Sequence, residues 1–584
     1  MAQNEIRWWT THSLAKVFPD SERPPRAPDR IRLKAARNES EDAQVAVRVP
    51  RGVEIERASY ALGPLAGPDG ARIPADCLSA HWQWFIYVTH NPPANRDPAT
   101  YLRKAPAFFP DAFLEQPEIR IRDEWTQPLW FSVSVPRDAA PGAYTGTLAL
   151  DLQIRDGDAV RIEVPVELEV WPFALPDRFH LHHTEWFWPE AFARYNGVEL
   201  WSEEHWRWIE KVARDMARHK QDMILTRFTP WGGRETLRPS LVRTARRRDG
   251  TFAFDFSLLD RWIETFKAAG VEWIEGGHVA RRVGGWQSQF GFKRFPVLDE
   301  DGNAIPTERD AMSDEEFEPI VEALLKAVYA HLKERGWHLQ YVQHVADEPG
   351  PDNAESWRRI AAVVRDWLPE VPRIDAVMAE GLDGCVELRV PQIQQIKSPS
   401  TLREPEQLWS YVCLAPQGVY PNRFLDYASI RNRIIFWLSW TLGLKGFLHW
   451  GYNAWRAWQG VPVPIDVSPW TDATGGSIYC QDRNPLPAGD PHIVYPGKED
   501  ICSSIRWEVV RKGFEDYEYL WLLDELARSA PDGPARRGAE GLLERVRNEI
   551  APDPAAYTRD DALLLRTREE IGETISALWR DSDF

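Results

Sequence analysis

The sequence predicts an antiparallel β-sandwich over residues 1–176, followed by a (β/α)8 TIM barrel over residues 177–584 that ends in a helical segment. Three observations carry that expectation. Residues 31–173 show short β-rich runs with turn punctuation and little helical periodicity. Past Pro176, helix-patterned and strand-patterned segments alternate, the order of a parallel sheet wrapped by helices. One of those strands delivers two adjacent carboxylates, Asp347 and Glu348, to its C-terminal end, where such barrels keep their catalytic groups.

The sandwich elements read in order. Residues 129–135 (LWFSVSV) and 147–154 (TLALDLQI) are strand-like, and 161–170 (RIEVPVELEV) alternates in polarity. Between the first two, AAPGAYTG supplies Pro and Gly for a tight connection. Pro172 and Pro176 then close the domain.

In the second domain Ser202 caps a helix with Trp206, Ile209, Val212, Ala213 and Met216 on its apolar stripe, and 223–228 (MILTRF) follows as a strand. A second helix turns Leu259, Trp262, Ile263 and Phe266 inward before the strand 271–275 (VEWIE). Ser313 and Glu316 form a capping box for a third helix, which Gly336 ends. Then comes 339–346 (LQYVQHVA), the strand that presents the carboxylates, with Pro349 and Gly350 opening the loop. Residues 447–450 (FLHW) form a late barrel strand, and the chain from about residue 500 is helical.

Composition narrows the function. The 88 acidic against 70 basic residues leave a formal charge of −18, which repels nucleic acid and anionic membrane surfaces. The basic run 243–248 (RTARRR) reads as a solvated loop. Cys77, Cys385, Cys413, Cys480 and Cys502 are dispersed and odd in number, so reduced, mostly buried thiols are expected. The N-terminus lacks a secretory pattern, which predicts a cytoplasmic protein or a secreted one whose signal has been removed. The apolar run 434–444 is too short to span a bilayer and reads as a buried helix. Twenty-nine Trp residues tilt the chain toward carbohydrate, because indole faces stack on the apolar faces of sugars.

Neighbours on a regular strand point to opposite faces, so the strand must bend or end at Asp347 for both carboxyls to serve one pocket; Pro349 is expected to hold Glu348 extended. Adjacent carboxyls approach a substrate from the same side. Double displacement needs two carboxyls flanking the bond at about 5–5.5 Å, and inversion needs about 6.5–9.5 Å. The pair suits substrate-assisted hydrolysis instead: one carboxyl protonates the leaving oxygen and the other orients a 2-acetamido group that acts as the nucleophile.

The ADEP turn, GFLHWGYNAW (446–455), IVYPG (493–497) and SSIRWEVVRKGFEDYEYLWLL (503–523) occur in an order that resembles glycoside hydrolase family 123, over about residues 180–525. The sandwich with PGAYTG is similar to that family's N-terminal domain. The motif GPDN after ADEP has no counterpart in the resemblance. What the resemblance implies is an exo-acting, retaining β-N-acetylgalactosaminidase without metal or other cofactor, with Asp347 orienting the acetamido nitrogen and Glu348 as acid/base. Its partner is an amino-sugar glycan; a β-N-acetylglucosaminidase is the close variant.

Substrate-binding candidates are Trp450, Tyr452, Asn453 and Trp455, with Tyr452 as candidate donor to the acetamido carbonyl, together with His182, Glu185, Trp186 and His278. Glu515 and Asp516 read as structural ion-pair members near Arg506 and Arg511. A competing reading draws a metal-dependent barrel hydrolase from His180 and His182, with His278 and His344 or Asp347.

Overall fold

The computed structural model describes residues 5–92, 100–229, 240–378, 382, 384–396, 407–455, 468–474 and 486–581. Its N-terminal part is a sandwich of two sheets. One orders the strands Arg7–His12, Glu39–Arg48, Thr126–Val135, Leu78–Val88 and Ala107–Phe113. The other orders Ile31–Arg37, Ala159–Ala174, Gly142–Ile154, Ile55–Leu62 and Ile119–Ile121. The polarity alternation takes the form expected of a half-buried strand: Ile162, Val164, Val166, Leu168 and Val170 face the core while Arg161, Glu163 and Glu169 face water. Pairing is antiparallel except between Ile31–Arg37 and Ala159–Ala174, which run parallel, so the second sheet is mixed.

The C-terminal part is built on a closed barrel of eight parallel strands: β1 (His182–Glu185), β2 (Met223–Thr226), β3 (Trp273–Gly276), β4 (Tyr341–His344), β5 (Arg373–Ala376), β6 (Leu388–Val390), β7 (Gln407–Tyr411) and β8 (Gly446–His449). Helices Glu203–Arg218, Ser257–Ala269, Asp314–Glu334 and Ala354–Trp367 cover the first four connections. Ser202 Oγ accepts from His205 N, and the Ser313–Glu316 box closes in both directions. Gly336 follows the third helix with φ +74°, a conformation that favours glycine. Helix Ile430–Thr441 leads into β8, but among the described residues the β5–β6 and β6–β7 connections hold no α-helix. The helical ring is therefore thinner there than a full (β/α)8 alternation.

Two local expectations need correction. Leu339 and Gln340 lie in a 3-10 turn, so β4 begins at Tyr341. Arg243–Arg246 is a strand rather than a loop; it joins Phe252–Asp255, Val297–Leu298 and Ala304–Ile305 in a small sheet built from the insertions after β2 and β3. Of the cysteines, Cys413 and Cys502 are buried, Cys77 and Cys385 partly so, all as free thiols, and Cys480 lies outside the described residues. Among the described residues no helix is long and apolar enough to cross a membrane.

The two parts are joined through helix Ile505–Ser529, which is buried almost all round over its first four turns. One side packs on Ile430–Thr441, and the other sends charges into the sandwich. Lys512 Nζ lies 2.5 Å from both Glu39 and Glu41, Arg511 2.7 Å from Asp42, and Arg506 2.9 Å from Asp111. Asp516 pairs with Arg433 and Arg568, and Glu515 with Lys512. Glu515 and Asp516 thus do form structural ion pairs, Glu515 with Lys512 on its own helix and Asp516 with arginines brought from elsewhere in the chain, rather than with Arg506 and Arg511.

Candidate active site

The backbone past β4 turns sharply. Val345 and Ala346 are fully buried, their amides donating to Asp375 at the end of β5. Glu348 then adopts φ +49°, a left-handed conformation rare for a side chain of this kind and costing about 1–3 kcal/mol. The expected extended conformation at Glu348 is therefore wrong. The bend falls at Glu348 itself and is held from both sides: Glu348 N donates to Ala376 O at 3.1 Å, and Arg282 Nη2 donates to Glu348 O at 2.5 Å.

Both carboxyls are partly buried. Burial pushes Glu348 up to about 7, and the adjacent Asp347 adds to the rise against the Tyr411 hydrogen bond and the Arg282 charge. Burial also raises Asp347, countered by Arg282, His344 and Lys293. Both carboxyls thus hold a proton more readily than usual, and Asp347 is the one with three cationic groups acting against that rise. Tyr411, the last residue of β7, donates its hydroxyl to Glu348 Oε1. Sequence reasoning singled out neither Tyr411 nor Arg282. Tyr411 ends an apolar strand, a faint signal; nothing local marks Arg282.

Beneath the pair lies a charged layer. His344 Nδ1 sits 2.8 Å from Asp375 and Nε2 2.5 Å from Glu275, so both ring nitrogens face carboxylate acceptors. Burial opposes a charge on His344, but those two hydrogen bonds prevail and hold it up to about 9. His278 packs on His344 with ring centroids 4.4 Å apart and is driven well below its ordinary value by burial and by that neighbouring cation. Trp186 donates Nε1 to Glu275 at 2.9 Å and sets its ring edge against both histidines. Trp186 and His278, both fully buried, support the floor rather than line an open pocket.

The other candidates scatter. His182 begins β1, at the end of the barrel opposite the carboxylates, and bonds Asp222 at 2.7 Å. Glu185 is fully buried with both oxygens on Arg423. Tyr452 is buried and donates to Asp215 at 2.8 Å, so it is not a donor to substrate. Asn453 bridges the backbone of Trp188, and Trp455 donates to Val494 O. Only Trp450 in that motif keeps partial exposure. Gly451 is required there by space, since a Cβ would meet Asp490 O at 2.6 Å. Asp490 itself is a buried carboxyl pushed up to about 7 by burial, beside Trp450 and His449.

The metal reading fails in its proposed form. His180 stacks on Trp521 and bonds Glu518, and His182 is committed to Asp222, both remote from His278 and His344. Among the described residues His278, His344 and Asp375 bring ligating atoms within 4.8 Å of one another, but a cation there would have to displace the hydrogen bonds that hold His344.

A closed parallel barrel with two adjacent carboxyls just beyond β4, both held above their ordinary values, has the makeup of a barrel glycoside hydrolase. Comparison with protein families gives the same class. The model described as "Glycoside hydrolase 123, catalytic domain" matches residues 186–523, more than half of the chain, and "Glycoside hydrolase 123 N-terminal domain" matches residues 16–151. The chain belongs to glycoside hydrolase family 123. Among solved structures it is similar to a family 123 glycoside hydrolase from Clostridium perfringens, the subject of a structural analysis of glycolipid glycan hydrolysis: TM-score 0.73 at 15% identity, covering 99% of this chain and 98% of that one. That likeness supports the two-part fold. Matches to a Bacteroides ovatus GH5 xyloglucanase (TM-score 0.26, 8% identity, 84% of this chain and 99% of that one) and to the GH30 xylanase C catalytic domain of Talaromyces cellulolyticus (0.30, 9%, 57% and 75%) are too weak to bear on the argument. No curated protein matches the sequence.

Proposed function

We propose that this family 123 enzyme removes terminal β-linked N-acetylgalactosamine from glycans with retention, using the substrate's own 2-acetamido group as nucleophile. Glu348 gives its proton to the glycosidic oxygen as the acetamido oxygen attacks C1, and Asp347 accepts the acetamido N–H. An oxazoline-like intermediate forms as the leaving group departs. Water then opens the intermediate, yielding its proton to the ionised Glu348.

The observation that supports this reading is the turn at Glu348. A left-handed φ of +49° breaks the strand alternation between adjacent carboxyls, and one of the two is held near pH 7 in the protonation range of a general acid. The galacto preference follows from the family likeness noted in the sequence.

A panel of nitrophenyl β-glycosides differing at C2 and C4 tests it on wild type, Glu348→Gln and Asp347→Asn. The 2-acetamido galacto sugar should turn over fastest, and each variant should lose about 10²–10⁴ in kcat/KM. Equal turnover of 2-hydroxyl and 2-acetamido sugars would sink the mechanism. Faster turnover of the gluco epimer would move the specificity but keep the chemistry.

A further inference from the structure

We propose that Trp286 is the stacking platform for the sugar on the leaving-group side of the scissile bond, an inference that rests on Glu348 being the proton donor. Trp286 lies in the loop 283–289, between the paired strands Ala280–Arg282 and Phe290–Phe292 that follow β3. Its side chain is 42% exposed, large for an indole and placed beside a catalytic-end turn.

The loop is tied to the turn that carries the acid. Arg282 sets its guanidinium carbon 3.8 Å from the Trp286 ring centroid while donating to Glu348 O at 2.5 Å, so one side chain touches both. Asn353, in the GPDN segment just past the carboxyl pair, donates Nδ2 to Trp286 O at 3.2 Å and to Ser288 O at 3.1 Å. Gln289 Nε2 reaches Asp352 O at 3.0 Å, and Phe290 N reaches Ser356 Oγ at 2.9 Å. Within the loop, Gly284 N donates to Ser288 Oγ at 2.8 Å and Ser288 N to Gly285 O at 3.0 Å. The indole is therefore preset relative to Glu348, with little ordering left for binding to impose.

Chemistry then selects the occupant. A general acid must lie within hydrogen-bond reach of the oxygen it protonates, and the leaving ring is bonded to that oxygen, so the ring is held close to Glu348 and within range of the loop tied to its turn. Arg282 covers one face of Trp286, and a flat face beside polar groups suits a pyranose, whose C–H face is apolar and whose rim is hydroxylated. In sequence Trp286 is flanked by Gly284, Gly285, Ser288 and Gln289, with Val283 the one other exposed apolar side chain of the loop, a setting more polar than an alkyl chain would call for.

The test compares Trp286→Ala and Trp286→Tyr with wild type on two ligands. One is a disaccharide carrying a terminal β-N-acetylgalactosamine; the other is an N-acetylgalactosamine-derived thiazoline, an oxazoline mimic that fills only the site of the departing terminal sugar. Trp286→Ala should lower kcat/KM on the disaccharide about tenfold, mainly through KM, with Trp286→Tyr keeping most of the activity and thiazoline inhibition unchanged in both. An unchanged disaccharide kcat/KM, or a fall matched by equal weakening of the thiazoline, overturns the proposal. So does a selective loss on an octyl glycoside with the disaccharide spared, which would assign the platform to an apolar aglycone. A wild type that ignores the thiazoline overturns the acetamido mechanism itself, a result separable from any effect at Trp286.

Discussion

Tyr411, at the end of β7, donates its hydroxyl to Glu348 Oε1, on the turn after β4. Two strands that are not neighbours in the barrel thus meet at the carboxyl group that holds the acid proton. The bond favours the ionised form of Glu348, whereas burial and Asp347 favour the protonated one.

Tyr411→Phe should move the alkaline limb of the kcat/KM profile upward by about one pH unit, since the acid then holds its proton to higher pH. A pH–rate series on the 2-acetamido glycoside reads this directly. An unmoved limb would remove Tyr411 from control of the acid.

Glu348 also leaves a mark on stability. Its folded value of about 7 lies above the ordinary glutamate value of about 4.3, so between those limits the folded state binds more protons than the unfolded one. Stability contributed by this group is full below that window and declines as pH rises through it. Gln does not titrate, so the stability of Glu348→Gln relative to wild type should grow by about 1–2 kcal/mol from pH 5 to pH 8, the range being discounted for the partial exposure of the side chain. Denaturant melts at the two pH values measure the difference, and a gap that stays flat would contradict the burial assigned to Glu348.

His344→Gln removes the cation under Asp347. Because His344 lowers the Asp347 value, its loss should raise it, and the acidic limb of the profile should move to higher pH while the alkaline limb stays. Narrowing from the acid side alone distinguishes this electrostatic role from general damage to the barrel floor.

Glu185→Gln should behave as a framework change. It leaves the Arg423 guanidinium buried against a neutral partner, at a cost of about 3–5 kcal/mol. The melting temperature should drop sharply while KM of the folded enzyme holds. A raised KM with unaltered melting would return Glu185 to the sugar.

The sequence was informative where local rules decide structure. Ser202 and Ser313 cap helices because the cap is made within four residues, and Asp347 and Glu348 follow an apolar strand whose end the Pro-Gly pair marks. It misled where tertiary packing decides. Tyr452 and Trp455 have the chemistry of sugar-binding residues, but Asp215 and Val494, distant in sequence or carried on another segment, consume their polar groups. Arg282 and Tyr411 approach Glu348 from the strand Ala280–Arg282 and from β7, and no spacing within the chain encodes that meeting. The strand bend was foreseen, but its seat in a left-handed Glu348 was not, because Pro349 alone argues for an extended residue.

The helix Ile505–Ser529 has a consequence for how such a chain can be rearranged. Its Arg506, Arg511 and Lys512 reach into the sandwich for Asp111, Asp42, Glu39 and Glu41. Excising the sandwich would take four carboxylates from three cations and leave Arg511 and Lys512 only Glu508 and Glu515 of their own helix, which also braces the barrel beside β8. A foreign module grafted in its place would have to supply carboxylates at the same positions. The N-terminal part is therefore a counter-ion for the catalytic part, and shuffling one without the other should yield insoluble protein rather than a smaller enzyme.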